Sequence, residues 1–126
     1  MVLAYDSMGR LLLVRHSYHQ QDRWFLPGGG FARGEDPVGA GARELFEEAG
    51  CRLVDAAWVG TDLRRMRGGW LNRIELISGT CDGTPKADGR EIAEATFFPL
   101  DALPPGTGES VRTALAIREQ WQASKR

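Results

Sequence analysis

Cysteine is scarce: the 126 residues hold two, Cys51 and Cys81, and they match no zinc spacing and no redox pair. One disulfide between them stays open, but a reduced, cytoplasmic setting is the simpler expectation. Long apolar runs are missing too, so no segment can span a bilayer and no membrane partner is expected. The opening MVLAYDSMGR lacks the basic-then-apolar pattern of a signal peptide. Charge of one sign is also lacking. Sixteen Lys and Arg against seventeen Asp and Glu leave a formal net charge of -1, which gives no electrostatic footprint for polymeric nucleic acid. With no internal repeat and no low-complexity linker, one domain over residues 1–126 is expected, long enough for a real core.

What the chain does have is a run of carboxylates where a folding protein would avoid them. Glu44, Glu47 and Glu48 stand at i, i+3 and i+4 of a segment that reads as helix, so all three leave one face. Like charges at that spacing are destabilising by about 0.2–0.5 kcal/mol per pair. A divalent cation reverses the sign of that repulsion, and Mg²⁺ in particular is held by a few carboxylates together with substrate phosphates. The bland alternative is a solvated acidic face. The helix itself follows from its ends: Asp36 as N-cap, Pro37 at the first helical position, and Gly50 as the stop. Val38, Ala42, Leu45 and Ala49 form the stripe expected to face a core. Gly39 and Gly41 weaken helicity by up to about 1 kcal/mol each, so packing must hold the helix, and small residues there let it sit close to a sheet.

Around that helix the chain alternates. Val2–Tyr5 and residues 11–15 read as short strands joined by a turn at 6–9. Residues 24–26 read as a third short strand. Residues 53–63 and 71–79 are further strands flanking a basic turn at 64–69. Residues 81–90 read as a loop, 95–98 as a last strand ended by Pro99, and 110–122 as a helix turning Val111, Ala114, Leu115, Ile117 and Trp121 inward. Strands and helices in this order imply an α/β sandwich with a mixed sheet.

Residues 29–51 also match a known pattern. The spacing Gly29, Glu35, Arg43-Glu44, Leu45, Glu47-Glu48 and Gly50 resembles the Nudix box, G-x5-E-x7-R-E-U-x-E-E-x-G-U, with Trp24-Phe25-Leu26-Pro27-Gly28-Gly29 resembling its usual lead-in. Cys51 departs mildly from the bulky aliphatic residue at the last position, since cysteine behaves as a small buried hydrophobe. No Gly-Lys-Ser/Thr follows the glycines, so they are not a P-loop. The resemblance implies an α/β/α sandwich and hydrolysis of a nucleoside diphosphate linked to a group X. It implies Mg²⁺, with Mn²⁺ as the alternative ion, on Glu44, Glu47 and Glu48. Arg43 is expected to pair with Glu47 and orient it, and Glu35 either to brace the loop or to reach metal. Gly28, Gly29 and Gly30 would help to place metal or phosphate through their backbone. Members of the family often carry a longer lead before the first strand, so a longer native N-terminus stays open, as does a homodimer.

The general base is left between a box glutamate, Glu91 and Glu94, with Glu91 better placed. Arg64, Arg65 and Arg67 are candidates for terminal phosphates or sugar. Trp70 or Tyr18 could stack on a base or an apolar X group, and Asn72, the one asparagine, could read a base edge. The alternatives are a solvated turn and ordinary rim aromatics. His16 and His19 are read as surface or rim. The marker proline of many ADP-ribose-cleaving members and the coenzyme A and NADH motifs are missing. A small nucleoside triphosphate or related diphosphate is therefore the default substrate. Two other classes stay in view. A catalytically silent nucleotide sensor usually loses box glutamates, and all are present here. A Nudix-fold isomerase of isoprenoid diphosphates is usually longer.

Overall fold

The computed structural model describes residues 1–18, 20–29 and 34–125. Within them the elements run β1 (Val2–Tyr5), β2 (Leu11–His16), α1 (Pro37–Ala49), β3 (Arg52–Arg65), β4 (Leu71–Asp82), β5 (Ile92–Phe98) and α2 (Glu109–Ser124). The strands form one sheet in the order β3-β4-β1-β2-β5. β1 runs parallel to β4, and the other pairs are antiparallel. A parallel pair needs a long crossover rather than a hairpin, and here β2, α1 and β3 intervene between its two strands.

Side chains alternate across a strand, and that alternation builds two cores. Val2, Ala4 and Leu12 pack with Leu45 and Ala49 of α1, and with Cys51 and Cys81. Leu3, Tyr5, Leu11 and Leu13 pack on the other face with Val111 and Ala114 of α2. Both faces being covered explains why β1 is buried at every position. The result is the expected α/β/α sandwich with a mixed sheet. Both cysteines are buried and unbonded.

Several boundaries differ from the sequence expectation. Residues 24–26 are not a regular strand; single bridges pair Phe25 with Val14 and Trp24 with Thr107, and Pro27 ends that pairing because it has no N–H to donate. β4 continues through Cys81 and Asp82, residues expected in a loop, because their partners Leu53 and Arg52 open β3. β5 starts earlier, at Ile92.

The caps of α1 are as expected. Asp36 Oδ1 accepts from Gly39 N at 2.6 Å. Gly50 adopts φ +67, the left-handed conformation, and its N–H donates to Phe46 O at 2.9 Å. The buried stripe is rotated from the one expected. Ala40, Gly41, Leu45, Glu48 and Ala49 are buried, while Val38 and Ala42 are half-buried. The cause is the close approach at Gly41, where a Cβ would stand 3.2 Å from both Ile77 and Val2. Glu48 therefore lies on the sheet side of the helix, unlike Glu47.

Candidate active site

Two glycines lie directly on two carboxylates. Gly28 N–H donates to Glu48 Oε2 at 3.0 Å. At Gly29 a Cβ would stand 2.9 Å from the carboxyl carbon and both oxygens of Glu44. Gly28 has φ +144, and a Cβ there would meet Met1 Cα at 2.7 Å, so the turn requires glycine on both counts. Gly30 and His19 lie outside the described residues.

Glu48 is only 8% exposed. Burial pushes its carboxyl up to about 7; the Gly28 N–H opposes the rise, and the charges of Glu44, Glu91 and Asp88 add to it. Glu47 is exposed. Arg43 ties the acidic residues together. Its Nε and Nη2 donate to Glu35 at 2.8 and 3.0 Å, and its Nη1 reaches Glu44 at 3.1 Å and Glu47 at 3.3 Å. The bonds to Glu35 foremost hold the guanidinium charged well beyond its ordinary range. Glu35 here braces α1 from the loop before it.

The loop before β5 supplies the next acids. Asp88 Oδ1 accepts from the N–H groups of Arg90, Glu91 and Ile92 at 2.8, 3.0 and 2.9 Å. These bonds, from Ile92 first, hold Asp88 below the usual carboxylate range despite some burial. This Asx turn folds Glu91 back so that its charge is felt at Glu48. Glu94 is turned elsewhere, paired with Arg15 at 3.1 Å.

Beside the glycine turn opens a cavity of about 540 Å³ lined in part by Gly29, Arg64, Asn72, Arg73, Ile74 and Glu75. Arg64 is steadied by Asp62 at 2.9 Å, whose carboxylate is buried. Glu75 accepts from Thr61 Oγ1 at 2.7 Å and Trp58 Nε1 at 3.1 Å. Burial pushes Glu75 up, but those bonds outweigh it and leave the carboxyl below its ordinary value. Arg65 falls on the other face of β3 from Arg64, and its Nη1 donates to Gly69 O at 3.1 Å. Trp70 is exposed at the hairpin turn, beside Gly68. Neither stands among the described residues that line this cavity. Arg67 and Tyr18 are exposed as well.

Sequence reasoning missed Asp62, Glu75 and Asp88. The Asp88-Gly89 pair was readable as a turn signal, and Asp62 shares a strand face with Arg64 at i, i+2. Glu75 carried no local signal, because its partners Thr61 and Trp58 lie on the neighbouring strand.

A family model described as the NUDIX domain matches residues 1–117. The chain belongs to the Nudix hydrolase family. Diphosphoinositol polyphosphate phosphohydrolase 3-beta of Bos taurus is 52% identical over 42 residues, 33% of this chain and 25% of that protein. RNA pyrophosphohydrolase of Bartonella bacilliformis is 43% identical over 47 residues, 36% of this chain and 28% of that protein. The matched stretch thus spans about a quarter of the length of these curated relatives. Among solved structures, a MutT NUDIX hydrolase from Burkholderia pseudomallei superposes with a TM-score of 0.70 at 24% identity, covering 91% of this chain and 92% of that one. A UDP-X diphosphatase superposes with a TM-score of 0.75 at 22% identity, covering 99% of this chain and 63% of that one. At such identities these likenesses establish the fold.

Nudix hydrolases generally use divalent metals. Among the described residues no three His, Cys, Asp or Glu side chains stand ready around one point, and Arg43 occupies oxygens of Glu44 and Glu47. The donor chemistry nevertheless fits such an ion. Glu48 is an acid whose charged form is penalised by burial and by neighbouring acids, a penalty that a cation removes. All the donors are hard oxygens, which suit Mg²⁺ or Mn²⁺.

Proposed function

We propose that this domain is a divalent-metal-dependent pyrophosphohydrolase. It cleaves a nucleoside diphosphate linked to another group X by attack of water at phosphorus, with a small nucleotide such as a nucleoside triphosphate as the default substrate. The observation that carries this reading is the buried Glu48, held by Gly28 N–H, beside Gly29, which packs on Glu44 and lines a cavity with Arg64 and Asn72 on its wall. The phosphohydrolase and pyrophosphohydrolase names of the partial relatives support the reaction class.

Mg²⁺, or Mn²⁺ in its place, would be held by Glu44, Glu47 and Glu48 and would neutralise charge on the phosphates and lower the pKa of bound water. The chain's own residues do the rest. Arg43 fixes the rotamers of Glu44 and Glu47 while Glu35 holds Arg43 in turn. Gly28 and Gly29 keep the turn flush with the carboxylates, which leaves room for phosphate over them. Arg64, preoriented by Asp62, offers a cation to phosphate or sugar, and Asn72 offers an amide to a base edge. Arg65 and Trp70 reach substrate only if the hairpin bends toward the cavity. Glu91 is the general-base choice, since the Asp88 turn brings its charge within reach of Glu48. The two thiols, free of a disulfide, agree with a reducing compartment, and among the described residues no helix is long and apolar enough to cross a membrane. We place the domain in the cytoplasm on free nucleotides.

The test is a nucleotide panel with Mg²⁺, resolving every product by chromatography, repeated with Glu48→Gln and Glu44→Gln. Each substitution should cut turnover by roughly 10²-fold or more while the melting curve stays cooperative. Activity should vanish in EDTA and return with Mg²⁺. Saturable nucleotide binding without turnover would instead make the domain a sensor.

A further inference from the structure

On the sheet face opposite α1 lies a second cavity, of about 270 Å³, with Tyr5, Ser78, Thr80, Arg118 and Trp121 on its wall and the exposed Asp55 at its rim. Its placement follows from register. β1 and β4 pair in parallel with Leu3 opposite Ser78 and Tyr5 opposite Thr80. Leu3 and Tyr5 face α2, so Ser78 and Thr80 face it as well. Val2 and Ala4 turn toward α1 and the carboxylates. The sheet itself therefore separates this cavity from Glu44 and Glu48.

The groups here are donors in excess of acceptors. Arg118 Nε donates to Ser78 Oγ at 2.9 Å, so the Ser78 hydroxyl has accepted and still has its own proton to give. The guanidinium lies 4.3 Å over the Tyr5 ring, and Nη1 reaches Gln122 at 3.2 Å. Ser78 is 7% exposed and Tyr5 8%. The Tyr5 hydroxyl is buried and no well-directed hydrogen bond reaches it among the described residues; Arg118 lies close enough to act on its oxygen, which leaves the hydroxyl proton without an acceptor. An orphaned buried hydroxyl is costly, and the half-buried guanidinium of Arg118 beside it adds to the demand for an acceptor. A core built only for packing would place Phe at position 5 and an apolar residue at position 78.

We propose that this cavity is a second binding site, distinct from the Nudix box, for a small oxoanion. Arg118 would supply the charge, and the hydroxyls of Tyr5 and Ser78 the directed hydrogen bonds. Charge-assisted bonds from a guanidinium are the strong ones, and donors from three elements, β1, β4 and α2, enclose an acceptor with oxygens on several sides. Asp55, exposed where it lines the cavity, opposes the anion's charge through solvent and accepts from a hydroxyl that the ligand carries. Hydrogen phosphate is a small member of this class and fits the volume. Trp121, with Lys125 Nζ 4.0 Å from its ring centroid, closes the wall with an apolar surface.

The experiment titrates the whole protein, freed of metal with EDTA at constant ionic strength, with inorganic phosphate, followed by amide and Arg Nε resonances. Saturable shifts at Ser78, Gly79, Thr80 and Arg118, leaving Gly28 and Glu48 still, are the expected result. Tyr5→Phe removes only the hydroxyl and should weaken binding about 5- to 10-fold with the fold intact. Arg118→Gln should abolish it, and Arg118→Lys should restore it in part. The proposal fails if no saturable shift appears up to tens of millimolar phosphate. It fails equally if Tyr5→Phe binds as the wild type does, or if the shifts gather at the carboxylates instead; a water-filled cavity is then the account.

Discussion

Glu48 concentrates the logic of the site in one carboxyl group. Burial raises it to about 7, whereas an unfolded chain releases that proton near its ordinary value of 4.5. Between those two values the folded state binds more protons than the unfolded one, so stability falls as pH rises through the window and stays lower above it. Glutamine at this position is neutral at every pH. Metal-free Glu48→Gln should therefore exceed the wild type at pH 8 by about 1–2 kcal/mol in urea unfolding, once partial solvation is discounted, and match it near pH 4.5. A variant less stable than the wild type at pH 8 would show that Glu48 is charged and satisfied in the free protein. The spacing of Glu44, Glu47 and Glu48 was legible in the sequence, and so was the pairing of Arg43 with Glu47 one turn on. The burial of Glu48 was not. The helical period alone puts the three acids on one face, and only the close approach at Gly41 decides how that face is rotated against the sheet.

At the scale of elements, α1 exists because its ends and its contacts agree rather than because its residues favour helix. Asp36, Pro37 and Gly50 mark its limits, and those marks could be read directly. Two glycines in the first two turns work against it by up to about 1 kcal/mol each. Gly41 returns that cost by letting the backbone approach Ile77 and Val2, where a Cβ would already stand at 3.2 Å. Gly41→Val adds branches where no space exists, and should destabilise the domain by about 1–3 kcal/mol. It should also lower activity, because lifting α1 from the sheet moves Glu44 and Glu48 away from Gly28 and Gly29. Urea unfolding and turnover measured on the same sample check both effects. Unchanged stability would mean that the helix approaches the sheet less closely than the structure shows. The strands were less legible than this helix. β4 runs past Gly79 because β3 offers it partners, and the bridging segment at 24–26 looks like a strand only until Pro27 removes its donor.

At the scale of the molecule, neither the strand order nor the cavity could be read in advance, since both depend on pairings between distant segments. Gly29, Arg64 and Asn72 meet only because β4 lies beside β1 and carries the β3–β4 hairpin past the glycine turn. The same assembly gathers Glu35, Glu44 and Glu47 on Arg43 and leaves only the half-buried Met1 ammonium to share Glu48 with them among the described residues, an excess of acid that should make the fold respond to a cation. An ion that binds the folded state alone stabilises it by mass action. At a free concentration about tenfold above its dissociation constant the gain is about 1.4 kcal/mol, or about 3–8 °C in melting temperature for a chain of this size. Mg²⁺ added to the EDTA-treated protein at pH 8 should therefore raise the wild-type Tm, and chelation should reverse the rise. Glu48→Gln should begin from a higher metal-free Tm yet respond little to the ion, so the two melting curves converge as Mg²⁺ rises. Ca²⁺ should also raise the wild-type Tm without supporting turnover, because its looser coordination positions water less tightly. Equal Mg²⁺ responses in wild type and variant would place the ion away from Glu48, and no response in either would remove metal from the account of this site.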